Sequence, residues 1–301
     1  MHQDRPPGPR AHLRGTRALL AALQQHVGAS LDLDALLGAE ADLPEAPPPD
    51  RDGLKYDAYL TRSAAGWGWG LTVNDRFEGA RFWPRIERFV QALGDYDLGP
   101  AHALSAALGS DAVRTVGLGF DPGRPPRVKL YVQEDAWGAG LQSVPDLPLP
   151  AWARGRRVDV VTVDVLQGGT TRQRVYVGGP TPHASAAGAP AEVQRLADTM
   201  AQACPLGPGW YYTTIRLDDP PRYAVNKIYD HTRIGFARRG LANGAAWAEV
   251  RAAFAAMGQA EHGDALQAIR RGLPGVRVVP TASALDHAGD SVDIYMGAWA
   301  L

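Results

Sequence analysis

The feature that most limits the fold is a repeated hairpin whose second strand carries a basic residue and a tyrosine two positions apart. Three stretches show it: Asp121…Arg127-Val-Lys129-Leu-Tyr131, Asp164…Arg172-Gln-Arg174-Val-Tyr176 and Asp218…Arg222…Lys227-Ile-Tyr229. Each reads as an alternating apolar run, a short turn and a second alternating run. Strand residues two apart point to one face, so each hairpin aims a cation and a phenol at the same place. Convergence of the three pairs predicts a site for an anion beside an apolar or electron-poor group.

The rest of the chain repeats the theme. Helical spacing is expected over Leu13–Val27 and again over Leu31–Leu37, followed by a linker, Pro44-Glu-Ala-Pro-Pro-Pro-Asp50, whose prolines block a helical ladder. Hairpins are then expected at Leu54–Arg62 with Trp67–Val73, Val113–Phe120 with Arg127–Val132, Val158–Val165 with Arg172–Val177, Trp210–Leu217 with Tyr223–Tyr229, and Val276–Thr281 with Ser291–Trp299. Helices are expected between them at Phe82–Leu93, Pro100–Leu108, Ala191–Ala203, Ala245–Met257 and Asp264–Arg271, with a weakly helical segment at Asp135–Leu141. An open sheet of ten strands leaves long exposed edges, and closing it into a barrel removes them. The expected fold is therefore α+β: a ten-stranded antiparallel barrel with a polar lumen, inside an outer ring of helices. Residues 1–12 are expected to be a disordered tail and 13–301 one domain, with 13–50 its N-terminal helices and linker.

Composition narrows the function. A net charge of -1 argues against general nucleic-acid binding. The single cysteine, Cys204, allows neither an internal disulfide nor a cysteine-based metal cluster. His231, His262 and His287 lack metal-ligand spacing, and Gly117-Leu-Gly119 lacks the third glycine of a dinucleotide fingerprint and leads into a strand. No signal peptide and no run of membrane-spanning length is visible. The expectation is a soluble, cytoplasmic monomer.

Arg-x-Lys-x-Tyr second strands in successive β-hairpin–helix units resemble the ABBA aromatic prenyltransferases. The resemblance runs from about Gly53 to the C-terminus. It is most specific at Gly117-Leu-Gly-Phe-Asp121 with Arg127-Val-Lys-Leu-Tyr-Val132, and at Tyr223-Ala-Val-Asn-Lys-Ile-Tyr229. The chain length and the Leu108-Gly-Ser-Asp approach to the second hairpin look closest to the peptide-modifying branch. The resemblance implies metal-independent transfer of an isoprenyl group from dimethylallyl or geranyl diphosphate, with magnesium optional and no cofactor. The acceptor would be a peptide side chain, an indole or another aromatic group. Asp218-Asp219 precedes Pro220-Pro221 and so reads as a turn rather than a magnesium motif.

On this reading Lys129, Arg174 and Lys227 hold the diphosphate, with Arg127 and Arg172 two residues earlier on the same faces. Pre-placed cations stabilise the departing anion. Tyr131, Tyr176, Tyr229 and Tyr295 shield the allylic cation with their ring faces. Asp57, in Lys55-Tyr-Asp-Ala-Tyr-Leu60, matches the acidic first-strand position that takes the acceptor proton in the family's indole members; a solvent-facing aspartate is the plain alternative. Trp67 and Trp69 share a face and either wall the acceptor or belong to the core. One departure stands out: the second strand, Trp67–Val73, lacks the family's usual arginine, for which Arg216 or Arg62 could substitute. A barrel that binds an anionic apolar ligand without chemistry is the competing class, and the missing arginine favours it. The fifth hairpin reads as short, which would leave an open barrel end for a peptide.

Overall fold

The computed structural model describes residues 9–28, 32–33, 56–63, 66–74, 82–91, 93–107, 113–120, 127–133, 147–168, 171–205, 210–229, 243–286 and 291–301. The strands are β1 (Tyr56–Ser63), β2 (Gly66–Asn74), β3 (Val113–Phe120), β4 (Arg127–Gln133), β5 (Val158–Val165), β6 (Thr171–Gly179), β7 (Trp210–Arg216), β8 (Arg222–Ile228), β9 (Val276–Asp286) and β10 (Ser291–Ala300). They form one strongly curled antiparallel sheet in which each strand pairs with its sequence neighbour, and β1 also pairs with β10, so the sheet closes on itself. Among the described residues the α-helices of known extent are α1 (Pro9–Val27), α2 (Phe82–Gln91), α3 (Gly99–Ala107), α4 (Pro182–Ser185), α5 (Ala191–Ala203), α6 (Asn243–Ala256) and α7 (Ala260–Arg271). The expected helix at Leu31–Leu37, the proline linker and the Asp135–Leu141 segment lie wholly or largely outside the described residues.

Alternation along the strands divides the two faces. The outward set of Val128, Leu130, Val161, Val163, Val175, Val177, Ile215, Val225, Val292 and Ile294 is almost wholly buried in the hydrophobic core. Each such side chain contributes about 1.5–3 kcal/mol of burial free energy. Inward neighbours such as Lys129, Tyr131, Arg174, Tyr176 and Tyr212 stay partly accessible to the lumen. In β8 this pattern runs from Arg222 to Ile228 with buried and half-buried positions in strict alternation after the first.

α1 begins at Pro9, inside the segment expected to be a disordered tail. Its apolar face, Leu19, Leu20 and Leu23, is fully covered. Gly15 makes the packing possible: a Cβ there would lie 2.4 Å from the backbone of Trp299 in β10. His12 reinforces the contact, its Nδ1 lying 2.8 Å from the Ala298 carbonyl and its ring stacked on Trp299.

The fifth hairpin is long rather than short. β9 spans 11 residues and β10 spans 10, with a register shift at Tyr295/Met296 that lets the strand pass Pro280. Pro280 cannot donate to the ladder, and a bulge tolerates it. The expectation of an open barrel end from a short hairpin therefore fails.

Candidate active site

The lumen holds a cleft lined by Tyr59, Thr61, Gly119, Arg127, Lys129, Tyr131, Arg174, Asp293 and Tyr295, with about 400 Å³ of empty space that includes open solvent. β4 supplies Arg127, Lys129 and Tyr131 from one face, since they are spaced by two. β6 supplies Arg174 in the same way, with Arg172 and Tyr176 on the same face just outside the cleft lining.

Lys129 is the centre of the charge arrangement. Its Nζ donates to the Tyr176 hydroxyl at 2.5 Å and lies 4.4 Å from the Tyr131 ring centroid. Burial, reinforced by the neighbouring Arg174 charge, holds the Lys129 ammonium well below the usual lysine range, although Asp164 opposes this. Arg174 donates from Nη2 to Asp164 Oδ2 at 2.6 Å. Burial works against the guanidinium charge, but the Asp164 carboxylate outweighs it and raises the Arg174 pKa. Asp164 is itself fully buried on β5, directly across the register from Lys129. Burial disfavours its anion, yet Arg174 and Lys129 together keep its pKa low. Arg174 Nε is buried with no hydrogen-bond partner among the described residues, a donor available to a ligand anion.

Phenols surround these cations. Tyr59 and Tyr295 lie with centroids 5.2 Å apart and their rings tilted by 37°, and Tyr131 and Tyr176 lie at 6.3 Å. Tyr212 on β7 meets the Tyr176 ring edge-on at 5.9 Å. Burial pushes Tyr131 and Tyr295 well above the ordinary phenol pKa and Tyr176 up to about 12, so these rings stay neutral at physiological pH. Their faces offer quadrupole attraction to a cation.

Two of the expected lumen residues lie on the other side of the wall. Lys227 pairs with Tyr211 on β7 and Ser283 on β9, and its side chain points outward beneath the helices. There Nζ donates to the Cys204 carbonyl at 2.8 Å and to Glu249 Oε2 on α6 at 3.0 Å. Both members of this ion pair are almost wholly buried. Tyr229 follows on the same side, 0% exposed, with its hydroxyl 2.9 Å from Ser283 Oγ. Ile228, between them, belongs to the inner face. The third cation–phenol pair is thus structural, joining α5 and α6 to the sheet.

The tryptophans also face outward. Trp69 is 1% exposed and belongs to the core, and Trp67 packs edge-on to His26 of α1 at 5.0 Å and His262 of α7 at 4.8 Å. Neither walls an acceptor. Arg62, one of the two possible substitutes for the missing second-strand arginine, is likewise outside and donates from Nε to His262 Nε2 at 2.9 Å. Arg216, the other, sits across the register from Arg174 and pairs with Asp218 at 2.5 Å. Asp57 has inward parity, opposite Thr72 of β2, but is not among the residues lining the cleft.

Positions that the sequence did not single out complete the cleft. Gly119 is one: a Cβ there would lie 2.6 Å from the Tyr59 hydroxyl and 2.8 Å from Arg127 Nη2, so both side chains approach only because the wall is bare. Tyr59 and Asp293 were legible in principle, each standing two residues from a singled-out position, Asp57 or Tyr295. Asp164 required knowledge of the β4–β5 register. Among the described residues no group of three or more His, Cys, Asp or Glu side chains is placed to hold a metal ion, and no helix is long and apolar enough to cross a membrane.

No protein-family model matches the sequence and no curated protein matches it. Solved structures do match its fold. The 5-dimethylallyl tryptophan synthase from Streptomyces coelicolor, in complex with DMASPP and Trp, aligns with a TM-score of 0.66 at 15% identity, covering 95% of this chain and 95% of its own. AnaPT from Neosartorya fischeri aligns with a TM-score of 0.65 at 12% identity, covering 96% and 93%. The prenyltransferase PriB, in a ternary complex with L-tryptophan and dimethylallyl thiolodiphosphate, aligns with a TM-score of 0.55 at 15% identity, covering 95% and 96%. The chain has the barrel fold of the aromatic prenyltransferases.

Proposed function

We propose that this protein transfers an isoprenyl group, most readily dimethylallyl, from its diphosphate to an electron-rich aromatic acceptor. The observation that carries the reading is the set of three cations, Arg127, Lys129 and Arg174, converging beside Tyr59, Tyr131 and Tyr295 in one lumen. Ionisation of an allylic diphosphate creates an anion and a delocalised carbocation side by side. The cations receive the first and the neutral phenol faces attract the second. Holding donor and acceptor together in the lumen supplies proximity and keeps water from quenching the carbocation.

On this reading the cations take the place of a metal at the diphosphate, and magnesium is optional. Arg172 and Arg216 extend the positive rim, and Arg216 compensates for the second strand's lack of an arginine. Similarity in fold to enzymes crystallised with tryptophan favours an indole acceptor, and a tryptophan side chain within a peptide presents the same chemistry. The same reading takes residues 9–301 as one domain, a barrel fully ringed by helices, working as a cytoplasmic monomer.

The test is incubation with dimethylallyl or geranyl diphosphate, with and without EDTA, against L-tryptophan, a tryptophan-containing peptide and a naphthol, read by mass spectrometry. An added isoprenyl mass that survives EDTA supports metal-independent transfer. Tight donor binding with no transfer to any acceptor would establish the non-catalytic carrier instead.

A further inference from the structure

We propose that Asp293 on β10 is the group that receives the acceptor's proton, in the role that the sequence assigned to Asp57; the proposal rests on the prenyl-transfer reading of the same cleft. Asp293 lines the cleft together with the three cations and with Tyr59, Tyr131 and Tyr295, whereas Asp57 does not. The two carboxylates stand at different heights in the wall. Asp57 pairs with Thr72, and Asp293 pairs with Thr61 and Ala284 beyond the Tyr59–Tyr295 step of the same ladder.

The immediate surroundings of Asp293 leave a place for a donor. The Thr61 hydroxyl bonds its carboxylate, while Oδ1 is buried with no hydrogen-bond partner among the described residues. A buried carboxylate oxygen of this kind is costly unless something donates to it. An acceptor presenting an N–H or O–H supplies that donor. Tyr295 lies two residues along the same face and is 5.2 Å from Tyr59 between centroids, so a flat aromatic ring resting on this pair directs its polar edge toward Asp293.

Charged neighbours set the strength of the base. Burial raises the Asp293 pKa above the usual carboxylate range, the Thr61 bond lowers it, Asp286 of β9 raises it, and Arg127 of β4 and Arg174 of β6 lower it. Lys129 faces the same space. The carboxylate is thus a stronger base than a solvated aspartate, though still ionised cations sit across the lumen from it.

The allylic C–O bond breaks and its electron pair leaves with the diphosphate, held by Arg127, Lys129 and Arg174. A π or lone pair of the acceptor forms the new bond to the allylic carbon. The acceptor's proton passes to Asp293 Oδ1, its bonding pair returning to the acceptor, and the products are neutral prenylated acceptor and diphosphate. Asp293 then returns the proton to water.

The experiment compares Asp293→Asn, Asp293→Glu and Asp57→Asn, using dimethylallyl diphosphate and whichever acceptor of the panel above reacts fastest. Donor affinity is measured separately by calorimetry with dimethylallyl thiolodiphosphate, and folding by circular dichroism. The expected result is a fall in kcat of about 10²-fold or more in Asp293→Asn, the range for losing a general base. Donor affinity should be retained, and the acidic limb of the kcat–pH profile should disappear. Asp293→Glu should restore that limb, which a merely structural role would not do, and Asp57→Asn should keep kcat within a few-fold. Wild-type kcat in folded Asp293→Asn, or collapse of kcat in Asp57→Asn alone, overturns the assignment while leaving prenyl transfer intact. Absence of transfer by the wild-type protein overturns the functional reading, and the proposal with it.

Discussion

Lys129 donates to the Tyr176 hydroxyl at 2.5 Å while Arg174, the residue two before that tyrosine, is held by Asp164 at 2.6 Å. The two second strands of neighbouring hairpins are thereby locked through β5, and the cations of the cleft are positioned before any ligand arrives. Preorganisation of this kind removes the cost of ordering long side chains during binding.

Removing either cation should weaken donor binding. A hydrogen bond to a charged group contributes about 1.5–3 kcal/mol, so Lys129→Ala and Arg174→Ala should each raise the Kd for dimethylallyl thiolodiphosphate by about 10- to 100-fold. Calorimetric titration checks this, and unchanged Kd values in both folded variants would refute the anion site.

Donor binding should also depend on pH through Lys129. In the free protein burial and Arg174 depress its pKa, so above that pKa the amine is neutral. A bound diphosphate adds negative charge beside it and raises the pKa. Binding therefore takes up a proton, and affinity falls as pH rises through the free-state value. Calorimetry in buffers of different ionisation enthalpy measures the uptake. Lys129→Arg, which stays charged, should flatten the pH dependence, and a pH-independent wild type would contradict this account.

The outward pair Lys227–Glu249 should govern stability rather than catalysis. Breaking a buried ion pair by removing one partner costs about 3–5 kcal/mol. Lys227→Met should lower the Tm sharply, and Lys227→Met with Glu249→Leu should recover much of the loss, because no buried charge is then left alone. Donor Kd in the folded double variant should match wild type. A large loss of donor affinity there would return Lys227 to the anion site.

Gly119→Ala should damage the cleft without adding or removing charge. Its Cβ would come within 3 Å of both Tyr59 and Arg127, and overpacking of this kind costs about 1–3 kcal/mol. The expected result is a loss of about tenfold or more in kcat/KM. A crystal structure of the variant should show Arg127 displaced from the wall; an unmoved Arg127 with full activity would show that the bare wall is dispensable.

Much of the fold was legible because strand patterns are local. Alternating runs separated by turn residues marked every hairpin, and helix spacing marked α1, α5 and α7. Errors arose where a local pattern fitted two placements. The strand expected at Val276–Thr281 ends too early, because the bulge opposite Met296 carries β9 past Pro280 to Asp286. Pro9 and its neighbours looked like a tail, but Gly15 and His12 give that segment a surface to dock on.

The same division applies to the site. Spacing alone fixed which side chains share a face: Lys129 with Tyr131, Arg174 with Tyr176, Lys227 with Tyr229. It left open which face is the lumen, because a shift of one residue exchanges the two. In β4 and β6 the wholly buried valines, Val128 and Val175, lie opposite the cations and place them inside; in β8 Val225 shares the face of Lys227 and places it outside. A buried lysine on that face is tolerable only with Glu249 and the Cys204 carbonyl beside it, and these come from helices remote in the chain. Sequence periodicity therefore determined the pairs, and only the packing of helices on the closed sheet decided which pairs meet a ligand.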